Sequence, residues 1–399
     1  MHDQDWQLRR VHNLIGHGTQ KQGFGNGQPA RADDDAATAQ CISQARDLWR
    51  RLPHDGMQTP ADGRRVEQRA RPSLNMSYFE PVILFFLLGA FAGFVRSDLR
   101  IPGVLYESLS IFLLLAIGLK GGVELARYRL LDVALPALVV VSVGALIPLV
   151  AFPILRRIGK LSRADAGSIA AHYGSVSVVT FAVGSAYLAR LGQAAEGYMT
   201  VFLVLLEFPA LVIGALLARD GERGAPKGHA AAPSWPFGRV LHEVFAGKSI
   251  VLLLGGLAIG WLAGPDGIAP LDRVFFDLFK GLLAFFLLEM GLVAASRIGD
   301  LRRAGVFLFA FATLMPLAAG GLGLITGQLL GLSVGGITLL ATLYASASYI
   351  AAPAAMRIAV PTANPALSIG AALGITFPFN LIVGIPLYHR LAQYLHAGG

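Results

Sequence analysis

Two short stretches of this chain gather hydroxyls and small residues where polar atoms are costly. Residues 173–177 read Tyr-Gly-Ser-Val-Ser, and 171 positions later residues 344–348 read Tyr-Ala-Ser-Ala-Ser, each in the middle of a long apolar run. A helix that unwinds at such a stretch exposes backbone N–H groups, carbonyls and side-chain hydroxyls. The half-helix that follows presents a partly positive N-terminus suited to an anion. Unwound carbonyls and Ser or Thr hydroxyls suit a sodium ion. Gly174, Ser175, Ser177, Thr180, Ser346, Ser348 and Tyr349 are therefore the candidate substrate-binding residues. Ser177 and Ser348, together with Glu207 and Thr376, are the candidates for coupling an ion. Small residues in membrane helices also serve close packing alone; the doubling of the motif favours a paired site. Pro353, just past the second motif, is expected to remove one amide donor and disturb its helix.

Isolated charges in apolar runs cost on the order of 2.5–3.5 kcal/mol at a helix centre, so each needs a partner or a task. Glu207 lies two residues before Pro209; Glu107, Glu289, Lys120 and Lys280 lie in other runs, and Lys280 is expected to pair with one of the acids. His172 abuts the first motif but has no second His or Cys at ligand spacing, so it reads as a packing residue rather than a metal ligand. No zinc-protease, nucleophile-elbow, Walker or dinucleotide signature occurs. The chain is thus read as no enzyme and as needing no cofactor beyond a coupling ion. Without an ATP site, uphill movement would draw on an ion gradient.

The elements that must hold these residues are membrane helices. The 399 residues are 54% hydrophobic and 15% charged, too apolar for an ordinary soluble protein. Runs of about 20 apolar residues occur near 79–95, 103–120, 132–155, 165–189, 197–218, 248–264, 273–295, 304–330, 333–356 and 366–395. The reading is an all-α integral membrane protein of ten transmembrane helices. Five runs per half is an odd number, so the halves are expected to be inverted repeats, 76–218 and 248–399, joined by a cytoplasmic linker, 219–247. Leu115-Ala116-Ile117-Gly118-Leu119 against Leu288-Glu289-Met290-Gly291-Leu292, Leu161-Ser162 against Leu332-Ser333, and Phe208-Pro209 against Phe377-Pro378 support the pairing.

Residues 1–75 carry eleven basic and nine acidic side chains and no long apolar run, which favours disorder. We expect them to be a dispensable tail or an over-extended gene start, with Met76 the natural first residue. The single cysteine, Cys41, lies there and gives the membrane part no disulfide. The net charge of +8 resides largely in short loops. It therefore reads as membrane orientation rather than nucleic-acid binding, with both ends of the membrane unit outside the cell.

The second half carries recognisable text. Ser296-Arg297-Ile298-Gly299-Asp300-Leu301-Arg302 and Arg357-Ile358-Ala359-Val360-Pro361-Thr362-Ala363-Asn364-Pro365, with Ile117-Gly118-Leu119-Lys120-Gly121-Gly122 in the first half, resemble the sodium-dependent bicarbonate transporter family of the cyanobacterial SbtA type. That resemblance implies sodium-coupled bicarbonate import through an elevator-like movement of a core against a gate domain in a bacterial inner membrane. It also implies a homotrimer regulated by a PII-like cytoplasmic protein. By the same resemblance Ser177, Thr180, Ser346 and Ser348 match the family's hydroxyls, whereas Lys120 stands where Thr is expected. Val178-Val179 replaces Gly-Ser, Tyr349 replaces an acidic residue, and Ala351-Ala352 replaces Ser-Gly. A different small anion, proton coupling, or a non-transporting receptor that recruits a signalling protein through 219–247 are the alternatives.

Overall fold

The computed structural model describes residues 81–219, 242 and 246–398, with the backbone alone at 219, 298–304 and 398. The expectations for 1–75 and for most of 219–247 lie outside these residues. Every described element is helical. In chain order they are α1 (Pro81–Phe94), α2 (Gly103–Leu125), α3 (Leu130–Gly144), α4 (Leu146–Pro153), α5 (Arg163–Gly174), α6 (Val178–Arg190) and α7 (Met199–Arg219). After the linker come α8 (Lys248–Ile268), α9 (Phe279–Leu329), α10 (Val334–Ala345), α11 (Ala351–Ala359), α12 (Pro365–Ala371), α13 (Phe377–Phe379) and α14 (Ile385–Gly398).

Eight helical stretches among these residues are long and apolar enough to cross a membrane, and the shorter Pro81–Phe94 and Val334–Ala345 are apolar too. The 51-residue α9 is two helices joined at Gly305, whose φ of 80° only glycine adopts readily. The last crossing stretch is irregular in a way the apolar pattern did not suggest. Single π-helical turns, Ala372–Thr376 and Asn380–Gly384, flank α13, and Pro378 between them has no amide to donate.

Glycines lock two parallel pairs. A side chain at Gly118 or Gly122 of α2 would strike the Leu253 or Leu257 carbonyl of α8, and one at Gly256 or Gly260 would strike α2 in return. In α9, Gly291 stands in the same relation to the Phe86 carbonyl of α1, and Gly89 of α1 to the Leu288 carbonyl. These backbone-to-backbone contacts make rigid, close-packed pairs. A third tight pair forms elsewhere. Gly167, Ala171 and Gly174 of α5 step along Ala218, Gly214 and Ala210 of the antiparallel α7.

Serines start both interrupted helices. Ser162 caps α5 by accepting from the Asp165 amide, and Ser333 caps α10 by accepting from the Gly336 amide, at 3.0 and 3.1 Å. Each cap is braced by a loop from the other half. Asp165 Oδ1 accepts the Asn364 amide at 2.7 Å, and Glu196 Oε1 accepts the Ser333 amide at 2.6 Å.

Candidate functional site

Helix α5 stops at Gly174 and α6 restarts at Val178; α10 stops at Ala345 and α11 restarts at Ala351. The chain is extended just past each stop, with φ and ψ of −88° and 157° at Ser175 and of −80° and 164° at Ser346. Both interruptions fall on the doubled motif, and they touch. The Ser348 amide donates to the His172 carbonyl at 2.8 Å, and the Ser177 amide donates to Ser346 Oγ at 2.8 Å. Two backbone groups freed by unwinding are thus satisfied across the halves rather than within them.

Pro353 does not cause the second break. It is the third residue of α11, in a first turn whose amides have no intrahelical acceptor, so its missing N–H costs little there. The helix has already stopped at Ala345.

The hydroxyls divide by what they have left to offer. Ser346 Oγ donates to the Leu343 carbonyl at 2.7 Å while accepting from Ser177, so it is fully engaged. Ser177 Oγ accepts from the Thr180 amide and Ser348 Oγ from the Ala352 amide, both at 3.2 Å. Those two serines cap α6 and α11 with a lone pair and keep an O–H to donate. Ser175 Oγ is fully buried and has no hydrogen-bond partner among the described residues. The Tyr349 hydroxyl, likewise without a partner of full geometry, is turned toward Ser177, and its ring stands edge-on to Phe377 at 5.2 Å. Thr180 is buried one turn into α6, and its amide is the one that Ser177 caps.

Other residues hold the interruption in shape. Thr376 donates to the Ala312 carbonyl and receives the Tyr173 hydroxyl, both at 2.7 Å. Asn380 Nδ2 donates to the Ala345 carbonyl at 2.7 Å, capping the end of α10 from the last crossing stretch. Sequence reasoning passed over Asn380, although a lone amide in an apolar run was the available signal. His172 is a packing residue on one side, with Nδ1 against the Ser168 carbonyl at 2.7 Å, but its buried Nε2 has no partner.

Glu207 is 1% exposed and its Oε2 lacks a hydrogen-bond partner. The ladder of α5 against α7 sets its height. Glu207 lies one turn of α7 past the Gly174–Ala210 contact, on the side where α5 has already ended. Glu107, by contrast, forms an exposed ion pair with Lys248 at 2.9 Å. The expected pairing of Lys280 with an acid does not occur among the described residues.

A void of about 10 Å³ lies where the two restarted helices begin, bounded by Val178 and Val179, by Ile350, by Ser110 and Leu113 of α2, and by Leu283 and Phe286 of α9. That is roughly the space of one water. Two helix N-termini, α6 and α11, therefore converge on one small chamber closed by apolar side chains of α2 and α9. Converging N-terminal dipoles favour negative charge there, and the carbonyl ends of α5 and α10 favour a cation on the opposite side.

The model of the Na+-dependent bicarbonate transporter superfamily matches residues 81–393. No curated protein matches the chain.

Proposed function

Because the chain belongs to the Na+-dependent bicarbonate transporter superfamily, we propose that it imports bicarbonate or a closely similar small anion together with sodium. The observation that carries this reading is the chamber flanked by Val178 and Ile350, where two half-helix N-termini meet. Ser177 and Ser348 donate their free O–H groups to the anion. Ser175, Gly174 and the carbonyl ends of α5 and α10 supply oxygen to the cation, and Glu207 supplies negative charge past the end of α5. Tyr349 closes the wall between the two ions. Thr180 and Ser346 keep the frame of the site. Thr376 acts through the Tyr173 hydroxyl that it holds. Oxygen ligands without a cage of carboxylates bind a cation weakly, as release on the far side requires.

The proposed architecture is ten spans in two inverted repeats, 76–218 and 248–399. Two reciprocal arrangements support it. The α2–α8 and α9–α1 glycine locks are counterparts, and Glu196 on Ser333 mirrors Asp165 on Asn364. In this reading α1, α2, α8 and the first part of α9 form the gate scaffold. The interrupted helices with α7 and α14 form the core that slides against it, elevator fashion. The distribution of basic loops supports a topology with both ends of the membrane unit outside a bacterial inner membrane. Assembly as a homotrimer and control by a PII-like protein on the cytoplasmic face complete the proposal.

Uptake of labelled bicarbonate into proteoliposomes, with and without an inward sodium gradient, is the direct test. Sodium-dependent accumulation is expected, and equal uptake in both conditions would remove the coupling. A receptor without transport would show no uptake at all. It would also keep partner recruitment when Ser177 and Ser348 are changed to Ala. The unpartnered buried Glu207 and His172 Nε2 favour one second reading, in which a proton replaces sodium. Uptake driven by an inward pH gradient in sodium-free vesicles would establish it.

A further inference from the structure

Away from the interruptions, a cavity of about 390 Å³ opens between the last turns of α2 and α6 and the first turns of α7 and α9. Its wall is mainly apolar but includes four charged side chains, Lys120, Lys280, Glu124 and Glu196. The acids are both committed elsewhere. Glu124 lies 3.3 Å from the Arg127 guanidinium. Glu196 receives the Ser333 amide at 2.6 Å and the Ser333 hydroxyl at 3.3 Å, bracing the start of α10. Neither lysine has an ion pair or hydrogen bond among the described residues. Both sit in stretches apolar enough to cross a membrane, where an uncompensated ammonium demands a reason.

The position of the cavity supplies one. It shares Ile117 and Ala182 with the small chamber at the starts of α6 and α11, so the two spaces lie on either side of those side chains. Glu124 is offset by Arg127, and the two lysines outweigh the remaining Glu196 carboxylate, so the recess keeps a net positive charge that raises the local concentration of anions. We propose that Lys120 and Lys280 form an outer site that collects small oxyanions, the class that includes bicarbonate, before they reach the interrupted helices. Both lysines lie on the α2 and α9 side of the cavity, whereas Ala182, Ser185 and Ala186 of α6 line the other. The outer site therefore belongs to the scaffold and the inner one to the core. This assignment rests on the reading of the chain as an anion carrier and adds a waiting station to it.

The test has two arms. In proteoliposomes with a sodium gradient, replacing both residues, Lys120→Gln with Lys280→Gln, is expected to raise KM for bicarbonate about tenfold, the lower end of electrostatic focusing. The change falls on KM rather than on the maximal rate, and the paired Lys→Arg variant restores it. An unchanged KM, or a loss confined to the maximal rate, overturns the proposal. The second arm needs no transport. In purified protein, trinitrophenylation of Lys120 and Lys280, mapped by peptide mass, should slow several-fold in bicarbonate at matched pH and ionic strength. Labelling indifferent to bicarbonate also overturns the outer site. Protection without any uptake by the wild type would retain the outer site and sink the carrier reading; uptake without protection would do the reverse.

Discussion

Ser175 and Ser346 hold matching places in the two halves, yet they do opposite work. Each is the first residue after a 12-residue helix that began on a serine cap, and each has nearly the same extended backbone. Ser346 spends its hydroxyl on the Leu343 carbonyl and the Ser177 amide. Ser175, equally buried, spends its hydroxyl on nothing among the described residues. The duplication thus repeated a shape and then divided its tasks: the second copy holds the first open, and the first is left with polar capacity for a ligand. A buried hydroxyl without a partner is a standing cost of roughly 1–3 kcal/mol that a bound ion would remove.

The largest effect should come from Ser346→Ala. It strands the buried Ser177 amide, at a cost of about 1–3 kcal/mol for the unsatisfied group, while the Leu343 carbonyl keeps the Ser346 amide. Lower thermal stability in detergent and loss of uptake are expected together; wild-type stability would erase the contrast between the two serines. Ser175→Ala comes next. Stability should hold within about 0.5 kcal/mol, while the sodium concentration for half-maximal uptake rises about tenfold, the value of one lost ligand bond. If that variant unfolds more readily and keeps its sodium response, Ser175 is structural after all. Ser177→Ala and Ser348→Ala each remove a helix cap worth about 1 kcal/mol, and each should also weaken bicarbonate binding through the lost donor. Comparing KM for bicarbonate with the sodium requirement in these two variants separates anion from cation duty. The smallest effect belongs to Pro353→Ala, with stability and uptake within about 0.5 kcal/mol of wild type. A marked change there would mean the proline shapes the break.

Much of the fold was legible because lipid imposes coarse rules. Apolar runs near the required length marked the crossing stretches, and the doubled Ser-rich motifs fell at both interruptions. The reasons for the interruptions were less visible. Pro353 drew attention by residue type, but its effect depends on which helical turn it occupies, and that follows from Ala345 stopping the preceding helix. The division between Ser175 and Ser346 could not be read locally, since the bond that engages Ser346 comes from an amide 169 positions away. Lys280 was assigned an acidic partner on charge balance alone. Of the acids weighed for it, Glu107 turns instead to Lys248, and Glu207 Oε2 and Glu289 Oε2 have no hydrogen-bond partner among the described residues.

The bond from the Ser348 amide to the His172 carbonyl has a bearing on slippage. It ties the lower end of one broken helix to the gap in the other, and the Ser177–Ser346 bond ties them a second time in the reverse sense. With the two gaps laced together, neither can shift without the other unless both bonds break.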